Sequence, residues 1–430
     1  MLNSPPDTSG IGNEKDPYPY SMLFILVVIH MAEPFYSTYV SVYQNYIGMT
    51  KTLIGLVGSA TALVMVFVKP FMGAMTDKSK NKNRMVSFLL FANAIAILFF
   101  YLGYLLPEKS REVFLLVATC MLLYQIFFTT SNTLLEANIV ETLNERRGRW
   151  NIGHIRLGGT IGYMISALIS SIIIGGDHYE RMFVLVSFFC IICAIWTYKL
   201  PPVSGKANKK ERVPYSEIFK NRPFLAIMLL QLTNSFGQVF FRFFNIYLVD
   251  KTLNAQGIPN GLGYDNGVIG VLAFCNASLE IPFFWFAGKI QKKLGMRWFM
   301  FLAVLVTATK NLLLSQVTSQ PIILLITTIT GFSFVGIHFC TVNFINDHMP
   351  KKMRSTAQAC NGLISQVCGS IIGGPLAGWL SDKYSTPVMM RYGALIIASG
   401  GVLFFIFFDK AMKYHNARYG PNMAPLAPEG

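Results

Sequence analysis

Polar residues come in short bursts along this chain, between apolar runs long enough to dominate it. Twelve runs approach the roughly 20 residues that a helix needs to cross a hydrocarbon layer. They lie near 20–47, 53–75, 84–106, 113–140, 153–175, 181–199, 223–249, 267–288, 297–315, 321–346, 356–380 and 387–408. Their length and lack of period-2 alternation exclude the strands of a membrane barrel. The pattern predicts an all-α membrane protein.

The longest burst, LPPVSGKANKKERVPYSEIFKNRP (200–223), separates six runs from six. Its Pro, Gly and cations suit a flexible connection. The expected organisation is a polar tail (1–19), a six-helix bundle (20–199), a linker (200–222), a second bundle (223–409) and a closing tail (410–430). The halves echo one another. GAMTDKSKNKNRM (73–85) follows the second run and GKIQKKLGMRW (288–298) the eighth, each opened by a glycine and filled with cations. PFMGAMTDK (70–78) and PLAGWLSDK (375–383) share the pattern P-x-x-G-x-x-[ST]-D-K at opposite faces of the predicted membrane. Repeats of opposite orientation mark secondary transporters, with the ligand near mid-depth between halves.

Composition agrees: 53% hydrophobic, 13% charged, with a mean hydropathy of +0.46. A net charge of +15 would suggest a nucleic-acid partner, but its placement argues otherwise. With the N-terminus cytoplasmic, alternate bursts and both tails hold 25 of the 36 Lys and Arg, the opposite bursts hold 7, and Lys69, Arg156, Arg242 and Lys310 lie inside runs. That asymmetry is the positive-inside rule. Both termini should be cytoplasmic in a multi-pass plasma-membrane protein, and no nucleic acid is implied. Residues 1–19 are polar and acidic, so no cleavable signal is expected. All seven cysteines sit in apolar runs, where Cys190 and Cys193 read as packing rather than redox groups. No P-loop, nucleophile–base pair, metal cluster or cofactor motif is present, so an enzyme is not expected.

Charges within the runs need a reason, since each costs at least about 2.5–3.5 kcal/mol at the bilayer centre. Glu136 and Arg156 flank the turn ERRGR, and at about 1.5 Å rise per residue they reach similar depth on neighbouring antiparallel helices. They either share a polar ligand or lock two helices as an ion pair. Glu280 (NASLEIPFF, 276–284) and Lys310 (TATKNLLLS, 307–315) repeat the arrangement in the second half. Glu33, before Pro34 in HMAEPFY (30–36), reads as a cavity carboxylate or as a buried, hydrogen-bonded one. Arg242 in FFRFFNIY (240–247) is either an anchor for an anionic ligand or a cation stacked among aromatics. Lys69 lies near a membrane boundary, to which it can snorkel. Tyr36, Tyr39, Tyr43 and Tyr46 form one helical face, a wet cavity wall or a packing stripe.

The twelve-run plan, the central linker, the basic turn after run two and the segment RLGGTIGY (156–163) resemble the major facilitator superfamily. Within it the chain is similar to the lactose-permease and phenylpropionate-permease branch of proton-coupled sugar, nucleoside and organic-acid symporters. The resemblance implies two pseudo-symmetric six-helix bundles, alternating access, small-molecule and proton partners, and a monomer. It implies that Glu136 and Arg156 hold the substrate with Tyr163 stacked on it; Glu33 and Arg242 join them as substrate-binding candidates on their own position within the runs. Gly73, Asp77, Arg84 and Gly288 fit the conformational gate. Glu280 and Lys310 are the expected coupling pair. The branch's span-ten His and Glu are replaced by Thr330 and Ser333, leaving His338 as the span-ten imidazole, so its coupling scheme does not carry over intact. An exporter of amphipathic compounds and a non-transporting membrane sensor are the competing readings.

Overall fold

In lipid, backbone N–H and C=O groups must be satisfied within the chain, and helices do this locally. The computed structural model describes residues 19–104, 111–145, 152–200, 220–253, 257–349 and 353–419, helical apart from turns and one isolated bridge, Leu253 with Pro259. We number the spanning helices α1 (Tyr20–Tyr46), α2 (Lys51–Asp77), α3 (Lys82–Tyr104), α4 (111–145), α5 (Ile152–Ile173), α6 (Glu180–Tyr198), α7 (Arg222–Val249), α8 (Gly267–Leu294), α9 (Met296–Leu314), α10 (Gln320–His348), α11 (354–383) and α12 (Thr386–Tyr419). Among the described residues, eleven of these are long and apolar enough to cross a membrane; α5 supplies a shorter apolar stretch, Leu157–Ile173. Most of the predicted linker and tails lies outside the described residues, but α12 continues about ten residues past the expected boundary at 409.

Local chemistry sets the ends. The Thr50 hydroxyl accepts from Leu53 N at 3.2 Å to open α2, and Asn221 accepts from Phe224 N at 3.0 Å to open α7, with Pro223 in the first turn. These caps satisfy donors that the first turn leaves free.

Several spans are interrupted, which the apolar runs did not foretell. Pro34 weakens α1, which loosens into a turn at Thr38 and Tyr39 before resuming at Val40, with the Thr38 hydroxyl donating to Pro34 O. π-helical segments occupy Gln125–Thr129 in α4 and Val367–Ile372 in α11. α7 loosens into turns over 240–243, and α8 and α10 break at Leu279 and Ile329. Such breaks tend to sit at functional depth.

Two lobes result. In the first, α1 packs on α5 and α6, and α3 on α4 and α6; in the second, α12 packs on α7 and α9, and α10 on α8 and α9. Gly162 lets α5 lie against α1, since a Cβ there would stand 2.4 Å from Val27 O. Small residues bring membrane helices together in this way. The lobes meet through α2 against α11 and α5 against α8.

Tyr36, Tyr39 and Tyr43 are buried, with Tyr36 stacked on Tyr124 at 3.6 Å between centroids, while Tyr46 is exposed. The tyrosine face is therefore mainly a packing stripe. Cys190 and Cys193 are buried and free, as packing groups; Cys190 Sγ accepts from Asn93 Nδ2 at 3.2 Å.

Candidate functional site

Where α1, α4, α5, α8 and α10 converge, a cavity of about 730 Å³ lies between the lobes. The first lobe contributes His30 and Glu33 from α1, Asn132 and Glu136 from α4, and Thr160 and Tyr163 from α5. The second contributes Asn276, Glu280, Phe284 and Trp285 from α8, with Phe334 and His338 from α10. Helical spacing explains the grouping: His30 with Glu33, Asn132 with Glu136, and Phe334 with His338 are three or four apart, on one face each. The breaks in α8 and α10 bring Glu280 to the head of a new helical segment at the cavity wall.

Thus Glu33, Glu136, Tyr163, Glu280 and His338, far apart in sequence, share one chamber. His338 stacks on Phe334 with ring centroids 5.6 Å apart and meets Phe284 edge-on. The Arg156 side chain lies outside the described residues; its backbone precedes the cavity-lining Leu157 on α5.

Two other expected residues are elsewhere. Lys310 is 5% exposed; its ammonium donates to Thr330 Oγ1 at 3.3 Å and lies 4.8 Å from the Phe241 ring centre. The expected Glu280–Lys310 ion pair is not formed, because Lys310 turns from the chamber into the second lobe. Arg242 is not at the chamber either. The turns over 240–243 aim it at α11, where Nη2 donates to Ser370 Oγ at 3.0 Å.

Arg242 belongs to a closure at the end of the molecule opposite the termini. There the Asp382 carboxylate accepts from Lys51 N at 3.1 Å and from Thr52 N and Oγ1 at 2.8 and 2.6 Å, so α11 of one lobe caps α2 of the other. Lys51 Nζ donates to Thr386 Oγ1 at 3.1 Å, Ser59 Oγ to Ser370 O at 2.7 Å, and Asn245 Nδ2 to Thr38 O at 3.1 Å. Asp265 accepts from Gly176 N at 3.1 Å. Contact is close because side chains are missing: a Cβ at Gly55 would stand 2.3 Å from Gly374 O, and one at Gly378 would stand 2.3 Å from Lys51 O.

The terminus-bearing end differs. A Cβ at Gly73 would meet nothing within 4 Å, and one at Gly288 only Phe339 Cζ at 3.9 Å. Neither gate glycine is in close contact with a neighbouring helix in this conformation. Arg84 lies over the Tyr198 ring at 5.4 Å, and the Asp77 side chain lies outside the described residues.

Sequence reasoning missed His30, Asn132, Thr160, Asn276, Trp285 and Phe334. His30 carried a signal, since its i, i+3 spacing to Glu33 places both on one face. The asparagines, Thr160 and the aromatics resemble ordinary packing residues and carried none.

Two helical lobes around a chamber that carries carboxylates, amides and imidazoles among apolar side chains have the architecture of a multi-pass membrane transporter. Residues 32–392 match the family described as MFS_1 like, and the chain belongs to that family. It is similar to the uncharacterized transporter YwbF of Bacillus subtilis (strain 168), 23% identical over 90% of this chain and 92% of that protein. It is also similar to the putative nucleoside transporter YegT of Escherichia coli (strain K12), at 22% over 85% and 87%. The crystal structure of nucleoside transporter NupG shares the fold, with a TM-score of 0.72 at 15% identity over 92% of this chain and 99% of that one. The protein is accordingly a secondary transporter of small molecules, embedded in lipid, and its family and relatives are transporters rather than enzymes.

Proposed function

We propose that the protein takes up a small polar solute, a sugar, nucleoside or small organic acid, by alternating access driven by protons. One observation carries the reading: Glu33, Glu136, Tyr163, Glu280 and His338, drawn from both lobes, line one chamber sealed at the end opposite the termini. Residues 20–199 and 223–409 are the two moving bodies, 200–222 is their linker, and the protein works as a monomer. The terminus-bearing end is cytoplasmic, as the cation asymmetry supports, so this conformation faces inward.

The chamber's volume falls within the range of small-molecule sites. Its carboxylates and amides suit a solute rich in hydroxyl or amino donors, and Phe284, Trp285 and Phe334 suit the face of a ring. An organic acid requires a cation among three glutamates, the role reserved for Arg156; Arg242 and Lys310 serve the closure and the second lobe instead. The relatives named for nucleoside transport support the same substrate range.

The test is uptake into proteoliposomes of a panel of saccharides, nucleosides and aromatic acids, with and without an inward proton gradient. Saturable, gradient-stimulated uptake of one class is expected. No saturable uptake of any member overturns the reading.

A further inference from the structure

A second cavity, of about 730 Å³, lies at the end opposite the termini. The turns after α1, α7 and α11 enclose it with the helix ends beside them, so both lobes contribute. The first lobe brings Asn45, Tyr46 and Lys51, and the second brings Asp250, Asn260 and Asp382. Lys51, Asp382 and Thr386 are shared with the closure, but no residue is shared with the chamber. The loop after α7 is held in place without any ligand. Asn260 N donates to Thr252 O and Asn260 Nδ2 to Thr252 Oγ1, each at 2.9 Å, and Leu262 N donates to Tyr247 O at 2.8 Å. A wall ordered in advance spares a ligand the cost of ordering it.

The lining groups select a class of ligand. Among the described residues Asp250 bonds through Oδ1 alone, accepting from Thr252 N and Oγ1 at 2.9 and 2.7 Å, which leaves Oδ2 to accept from a ligand. Lys51 Nζ donates to Thr386 Oγ1 at 3.1 Å and has two further N–H groups. Ser381 is 3% exposed, and its hydroxyl has no partner among the described residues. Tyr46 and Tyr384 are exposed and add two rings. Asp250, Asp382 and Lys51 give the wall a net charge of −1, which disfavours an anion, while the ammonium disfavours a bare cation. A neutral molecule with many hydroxyls satisfies both kinds of group, donating to Asp250 and accepting from Lys51. The rings suit the C–H faces of such a molecule.

We propose that this cavity is a second binding site, for a neutral saccharide arriving from outside, and that a saccharide bound there holds the lobes in the present conformation. The consequence for uptake rests on the carrier reading above; binding at the site does not. Because both lobes supply the wall, separation at this end takes the site apart. A ligand that binds only the assembled site favours the closed state by a factor of 1 + [L]/Kd. At about ten times Kd the ratio of closed to open molecules rises about 11-fold. External saccharide thereby slows uptake. Added transported solute does not reverse the effect, since the saccharide-bound state forms after solute has left on the inner side.

The test is alkylation of a thiol placed in the cavity. In a background with the seven cysteines replaced, Ser385→Cys is the reporter, since Ser385 lines the cavity and is exposed. Glucose, maltose and sucrose are the probes, and an impermeant maleimide is the reagent. At least one saccharide should slow alkylation, by about 11-fold at about ten times its Kd. Asp250→Asn should remove that protection. Asn260→Ala, at an exposed side chain outside both chamber and closure, should do the same and decides the matter if Asp250→Asn does not fold. Protection by none of the three saccharides overturns the proposal, as does protection that survives the substitutions. Spin labels spanning the end opposite the termini should report a larger closed fraction with saccharide bound; protection without that shift overturns the hold on the lobes. Alkylation needs no transport, so absence of saturable uptake removes the carrier and leaves this site standing wherever protection is seen.

Discussion

At the scale of single residues, the chamber separates groups that face a ligand from groups that brace a lobe. Glu136 belongs to the first set. A hydrogen bond to a charged group contributes about 1.5–3 kcal/mol, so its loss costs roughly 10–100-fold in apparent affinity. Glu136→Gln and Arg156→Ala should each remove saturable uptake at ordinary substrate concentrations, with membrane levels near wild type on immunoblots. If either variant instead fails to insert, the two residues lock helices rather than hold a ligand. Lys310 belongs to the second set. Its ammonium has a hydroxyl and an aromatic face as company, with no carboxylate bonded to it among the described residues. Replacing buried charge by an apolar side chain of similar volume is often neutral or stabilising, by about 1–4 kcal/mol for ion pairs. Lys310→Met should therefore unfold in detergent at the same temperature as wild type or higher. A markedly lower melting temperature would mean that the cation supports the second lobe.

At the scale of elements, the apolar runs made the spans legible, but not the breaks within them. Pro34 announced weakness in α1 and Gly369 lies within the π segment of α11, whereas the π segment of α4 and the turns over 240–243 in α7 have no breaking residue that distinguishes them from helix. Those turns carry Arg242 to α11, which is why its position was unreadable. The motif PLAGWLSDK was legible as an echo of PFMGAMTDK, yet only packing reveals its use. Gly378 permits backbone contact with Lys51, and Asp382 caps α2 across the interface. Removing a cap costs about 0.5–2 kcal/mol, and here that cost falls on one conformation only. Asp382→Ala should shift the lobe equilibrium toward opening at the end opposite the termini by about 2- to 30-fold. Distances between spin labels spanning that end, measured by pulsed electron resonance, should lengthen in a larger fraction of molecules. An unchanged distribution would show that the capping carboxylate is dispensable. Gly374→Val tests the same closure sterically, since a Cβ at Gly374 would stand 2.9 Å from Ser59 Oγ and 3.1 Å from Gly55 O. It should produce the same shift.

At the scale of the whole molecule, carrier action needs the lobes to separate where they now touch. The two-lobe plan could be read from the chain, because apolar run length and cation asymmetry are one-dimensional properties. The chamber could be read in part: buried carboxylates are costly enough to stand out, while amides, aromatics and one imidazole on the same helical faces are not. The direction in which the chamber is closed could not be read, since it depends on contacts between residues more than 300 positions apart, such as Lys51 with Asp382. A tether across that contact decides whether separation is required. In a background with the seven cysteines replaced, Thr52→Cys and Asp382→Cys place two thiols where backbone and carboxylate now meet. Oxidation should join the lobes and stop uptake, and a reductant should restore it. Substrate should still bind the tethered protein from the terminus-bearing side, because the chamber is open there. Full uptake with the tether formed would mean that solute crosses without separation at this end, and rocking of the two lobes would have to be abandoned.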